Sequence, residues 1–88
     1  MTKKLTLTKH QVELLEKEVS DYIINSDIDD AFNNAVLKNG KYHISIKVDA
    51  LEELIGSACF VFNHEEKNKN LVLELDALID YFESVLEK

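Results

Sequence analysis

Two stretches of the chain, LTLTKHQVELL at residues 5–15 and ISIKVDALEEL at residues 44–54, follow one hydrophobic plan. Each opens with apolar residues at every second position and then changes to three-and-four spacing. The first pattern puts one apolar face on a strand, and the second gathers an apolar stripe along a helix. Neither element can cover its own apolar side, so a chain using the plan twice is expected to close two units over one core.

The correspondence runs beyond these stretches. With an offset of 39 residues (44 − 5), Leu5 falls on Ile44, Leu7 on Ile46, Val12 on Leu51, Leu15 on Leu54, Val19 on Ala58 and Val36 on Leu75. Few of these are identities, so the match is one of patterning, a pseudo-repeat of residues 3–39 and 42–87 within a single domain spanning 1–88.

The elements follow from period and capping residues. KKLTLT predicts a strand, with Thr8 as the N-cap of a helix that places Val12, Leu15, Val19, Tyr22 and Ile23 at helical spacing. Residues 27–38 fit two structures. As a helix, Ser26 caps it, Asp29 and Asp30 sit in its first turn, and Ile28, Ala31, Phe32, Ala35 and Val36 share a face. As half of a hairpin, Asn39-Gly40 forms a type I′ turn that sets Leu37 against Tyr42. The five-position helical match and the poor strand character of Asn33-Asn34 favour the helix. YHISIKV is a strand with Tyr42, Ile44, Ile46 and Val48 on one face. Asp49, with Glu52 three residues on, is the expected capping box of the next helix. After the polar break at 63–70, LVLELDALIDYFESVLEK forms the last helix. The expected fold is α+β, in the order β-α-α-β-α-α: two short strands with about four helices, mostly helical.

Composition narrows the function. At 45% hydrophobic and 31% charged, the chain has enough apolar residues to fold. Seventeen acids stand against ten bases, all of them lysine, for a net charge of −7. Without arginine there is no planar fork to clamp phosphates or read guanine, which argues against direct nucleic-acid binding. No run approaches the ~18 apolar residues of a membrane span. The single Cys59 forms no internal disulfide, and with no leader pattern at the N-terminus the expected location is the cytoplasm.

Catalytic signatures are missing from the sequence. With only Gly40 and Gly56, no glycine-rich phosphate loop can form. Cys59 and His64 are five apart, which fits no common zinc spacing, and Cys59 lies mid-helix, away from the terminus that would favour a thiolate. No catalytic, cofactor-binding or metal-ligating residue is assigned, no cofactor is expected, and the chain reads as a non-enzyme.

The stronger signal lies in apolar residues that face away from the main stripes. A turn of about 100° per residue puts Phe60 nearly opposite Leu51, Leu54, Ala58 and Phe62, beside Gly56. The last helix is apolar on more than one side through Leu73, Ala77 and Tyr81. Gly56, Phe60, Leu73, Ala77 and Tyr81 are therefore the candidate interface, for a second copy in a homodimer or for another protein. A different reading takes Asp27, Asp29, Asp30, Glu74, Asp76, Asp80 and Glu83 as a stripe, making the chain an acidic mimic of nucleic acid that inhibits a DNA-binding protein. LTLT running into KHQVELLEKEV, repeated as HISIKVDALEEL, resembles the short acidic proteins of phages, plasmids and other mobile elements. That resemblance implies an accessory or host-takeover role and transfers no functional residue.

Overall fold

Thr8 ends the first strand and starts the first helix. In the computed structural model, which describes residues 1–20, 26–65 and 67–88, strand β1 spans Thr2–Thr8 and helix α1 spans Lys9–Leu14. The Thr8 hydroxyl accepts the Gln11 N–H while the Gln11 side chain accepts the Thr8 N–H, closing a reciprocal box at the junction. Thr8 caps as its position predicts; Gln11 is the partner that the sequence reading did not single out. Beyond α1 the helix widens into a π-helical segment, Leu15–Val19. Leu15 and Val19 are buried and Val12 half-buried, as the helical spacing predicts. Tyr22 and Ile23, expected on the same stripe, lie outside the described residues.

The ambiguous segment resolves into both structures in succession. Helix α2 covers Ser26–Asn33, with Ile28 and Ala31 buried. It ends where Asn34 donates to the Asp30 carbonyl through both its backbone N–H and its side-chain amide. Strand β2, Val36–Lys38, follows and turns through Asn39-Gly40 into strand β3, Lys41–Lys47. Asn39 has φ 54° and Gly40 φ 78°, the two positive values a type I′ turn needs. The sheet thus has three strands, not two, and Val36 leaves the helical face expected of it. Turn chemistry decides this: Asn-Gly closes a two-residue hairpin, and the short run before it pairs with β3 instead of continuing the helix.

The strands lie in the order β1-β3-β2, all antiparallel. Leu5 stands opposite Ile44, Leu7 opposite Tyr42 and Leu37 opposite Tyr42 on the other side. Burial alternates along both long strands, with Leu5, Leu7, Ile44 and Ile46 buried and their neighbours exposed. One face of the sheet is therefore covered and the other open.

Helix α3, Val48–His64, begins directly after β3. Lys47 is its N-cap, without a side-chain cap bond, and the Val48 N–H donates to the Met1 carbonyl at 3.2 Å. Val48 is therefore helical, not the last strand residue, and Asp49 is not the cap. The Met1 carbonyl satisfies one orphan donor, and Asp49 stays in the first turn, where the helix dipole favours it. Glu65 and Asn68 organise the link to helix α4, Lys69–Glu87. The Glu65 carboxylate accepts the N–H groups of Lys67 and Asn68, and the Asn68 side chain accepts the Leu71 N–H.

Helices α3 and α4 pack against one another and against the covered sheet face. Leu51 and Leu54 from α3 and Leu75, Leu78 and Phe82 from α4 join the strand leucines and isoleucines in one hydrophobic cluster. Agreement in burial at the offset of 39 covers Leu5 with Ile44, Leu7 with Ile46, Leu15 with Leu54 and Val19 with Ala58, while Val12 is half-buried against the buried Leu51. It stops at Val36, exposed in β2, against Leu75, buried in α4.

Two glycine substitutions should act with opposite sign in urea unfolding. Gly40→Ala places a Cβ at φ 78° and should cost about 1 kcal/mol. Gly56→Ala, in a helix with open space around its Cβ, should gain about 0.5–1 kcal/mol. Phe82→Ala, a cavity at the core, should cost about 3–5 kcal/mol and bring the chain close to unfolding.

Candidate interaction surface

Helix α3 turns one side to the core and carries Gly56 and Phe60, one turn apart, on the other. Phe60 is 46% exposed. Its ring stacks on His64 with centroids 4.1 Å apart and planes 25° from parallel, and His64 Nδ1 lies 2.8 Å from the Phe60 carbonyl. The stack holds the ring in place across the outer side of the helix without removing it from solvent.

On α4, Leu73 is 67% exposed and Ala77, one turn on, is also exposed. Leu73 lies two residues from both Leu71 and Leu75, so a turn of about 100° per residue carries it away from their buried stripe. Four of the five candidate interface residues thus lie on the outward sides of the α3–α4 pair. Tyr81 does not join them. It is half-buried against the core, and its hydroxyl accepts the Thr6 N–H at 2.8 Å. Thr6 belongs to an edge strand whose outward N–H groups lack a strand partner, and Tyr81 closes one of them. Leu73 and Tyr81 are eight residues apart, about 80° around the helix, so Leu73 lies nearly opposite the buried stripe while Tyr81 lies on its flank, where it meets β1.

The acids divide as well. Asp27 lies 3.7 Å from the Lys47 ammonium, and Glu74 lies 2.8 Å from His10 Nε2. Asp76, Asp80 and Glu83 are exposed on the outward side of α4, and Asp49, Glu52 and Glu53 are exposed on α3. The apolar patches at Phe60 and Leu73 therefore sit in an acidic surround. Lys69 is the one lysine within the two helices.

The titratable groups show no catalytic arrangement among the described residues. Burial raises the Cys59 thiol above its ordinary value, and the Glu83 carboxylate raises it further, so the nucleophilic thiolate is disfavoured. The three histidines lie apart: His10 at the start of α1 beside Glu74, His43 on the open sheet face, and His64 under Phe60. Among the described residues no group of three histidine, cysteine or acidic side chains could hold a metal, and no helix is long and apolar enough to cross a membrane. A cleft between the π-helical segment, α2 and α3 is lined by Leu15, Ile28, Phe32 and Leu54, with Glu16 and Asp29 at its polar side.

One surface escaped the sequence reading. The open sheet face carries Thr2, Lys4, Thr6 and Thr8 from β1, Lys41, His43, Ser45 and Lys47 from β3, and Val36 and Lys38 from β2. All are exposed. Among the described residues no acid lies in a strand, whereas five of the ten lysines do. The available signal was the lack of Asp and Glu in both alternating segments. Comparison with known proteins finds no family model, no curated protein and no solved structure that matches the chain.

Tyr81→Phe should destabilise the fold by about 1 kcal/mol in thermal unfolding, since the Thr6 N–H loses its acceptor. The two N–H groups on Glu65 hold its carboxyl below the usual range, with Lys67 and Asn68 as donors. A depressed folded value makes its contribution complete above the unfolded value and lost as pH falls through the folded one. The difference in unfolding temperature between the wild type and Glu65→Gln should therefore be present at neutral pH and vanish in acid.

Proposed function

We propose that the chain is a non-catalytic interaction protein that associates with a second copy of itself through the outward side of α3 and α4. The observation that carries this reading is the exposure of Phe60 and Leu73 on neighbouring helices whose remaining apolar residues are largely buried. Large apolar side chains set among charged ones are the usual anchors of a contact, with the polar rim excluding water around them. Covering either side chain would contribute about 1–2 kcal/mol, roughly a tenfold change in affinity. Gly56 and Ala77 leave room beside the two anchors for close approach.

A second reading, an acidic mimic that occupies the nucleic-acid site of a DNA-binding protein, draws support from Asp76, Asp80 and Glu83 on one side of α4. It draws less from Asp27 and Glu74, which have partners within the chain. The mimic needs a cationic cleft in its target and gives steeply salt-dependent binding.

Size-exclusion chromatography with light scattering tests the first reading. The wild type should run above its 10.1 kDa monomer mass at rising concentration. Phe60→Gln with Leu73→Gln, which removes the anchors without changing charge, should weaken association about 100-fold while leaving the unfolding temperature within a few degrees. A wild type that stays monomeric at every concentration would remove the basis for self-association.

A further inference from the structure

The chain is acidic as a whole, yet its two broad faces have opposite sign. Lys4, Lys38, Lys41 and Lys47, with His43, stand on the open side of the sheet, where the strands contribute no carboxylate. Asp49, Glu52 and Glu53 on α3 and Asp76, Asp80 and Glu83 on α4 are exposed on the two helices that cover the opposite face of the sheet. Among the described residues, Lys47 is the open-face lysine with a side-chain carboxylate within 4 Å, that of Asp27.

The sheet face has a feature that a solvated surface does not call for. Lys38 and Lys41 are directly opposite each other across the β2–β3 ladder, next to the turn. Like charges in that position repel and destabilise a sheet. A negative group lying over the pair would remove the penalty. The occupant that the charges favour is compact and acidic on one side. An extended polyanion would meet the −7 total of the chain and its acidic helices, and lysine lacks the planar fork that grips phosphate.

We infer that the basic sheet face of one copy docks on the acidic α3–α4 face of the next, a front-to-back contact between unlike surfaces. This rests on the reading of α3–α4 as the contact surface and replaces its two-fold geometry. A symmetric dimer through α3–α4 would bring acids onto acids around Phe60 and Leu73, and one through the sheet would bring lysines onto lysines. The front-to-back contact pairs them instead. The dimensions agree: a seven-residue strand extends about 23 Å and a 17-residue helix about 25 Å. Val36, 61% exposed on the open sheet side, supplies an apolar contact for the helical anchors. A contact between unlike faces leaves one of each unused at the ends, so copies add without closing unless the rotation between them makes a ring.

Light scattering of the full chain over a concentration series, at low ionic strength and at about 1 M salt, tests the inference. Mass should climb past a dimer at low salt and fall back at high salt. Lys38→Glu with Lys41→Glu, and separately Asp76→Lys with Asp80→Lys, should each weaken association at least tenfold, with circular dichroism unchanged. Mixing the two variants should restore it. A closed dimer indifferent to the sheet substitutions would overturn the stacking while leaving α3–α4 as a contact surface. A monomer throughout would overturn both. Binding of a single-stranded oligonucleotide by the wild type, lost in the Lys38/Lys41 variant and without self-association, would assign the basic face to a polyanion and overturn the inference.

Discussion

The ladder between β1 and β3 organises everything else in this protein. It joins the beginning of the chain to its middle, from Thr2 opposite Lys47 to Thr8 opposite Lys41, and sets Leu5, Leu7, Ile44 and Ile46 on one side. Two strands alone bury too little to be stable. The apolar side they create needs a helical cover, and both strands run into helices with almost no linker: Thr8 caps α1, while Lys47 leads directly into α3. Short joints make the direction of each helix a consequence of the strand before it. The third strand adds width at low cost, because Asn39-Gly40 closes the hairpin with both residues already in the required backbone region.

Covering one side of a sheet with every helix leaves the other side to water. The period of a strand then sorts residues without further instruction: apolar positions face the helices, and lysine, threonine, serine and histidine face solvent. A helix has more surface to fill, and here its charged outward positions are mostly acidic. Charge segregation is thus the product of a two-layer architecture and of a sequence that keeps Asp and Glu out of strands. Net charge hides it, because a value of −7 is the sum of a basic sheet and strongly acidic helices. The homodimer reading rests on apolar residues off the helical stripes and the mimic reading on a row of acids, and the opposed faces give a physical reason to prefer contacts between unlike surfaces.

Tyr81 and Leu73 illustrate how an apolar helix can mislead. Both lie off the main stripe of α4, and both look like surplus apolar surface. Tyr81 is used within the chain to close an edge-strand N–H, and Leu73 is left in solvent. An amphipathic pattern tells how far a residue lies from the core direction, but not which neighbour waits there. The same limit applies to Asp27 and Glu74, whose partners Lys47 and His10 lie on other elements.

What the sequence determined by itself was local. Alternation marked β1 and β3, helical spacing marked α3 and α4, Thr8 marked a cap, and Phe60 and Leu73 were marked as apolar residues off the stripes. These follow from side-chain period and backbone capping, which depend only on near neighbours. The tertiary structure decided the rest: β2 as a strand at the hairpin, Val48 as a helical residue with Met1 on its N–H, Tyr81 as the cover of an edge strand, and a basic face opposite an acidic one. Each of these depends on which distant segment lies alongside, and that is set by closing the ladder and packing the core, not by any short window of residues.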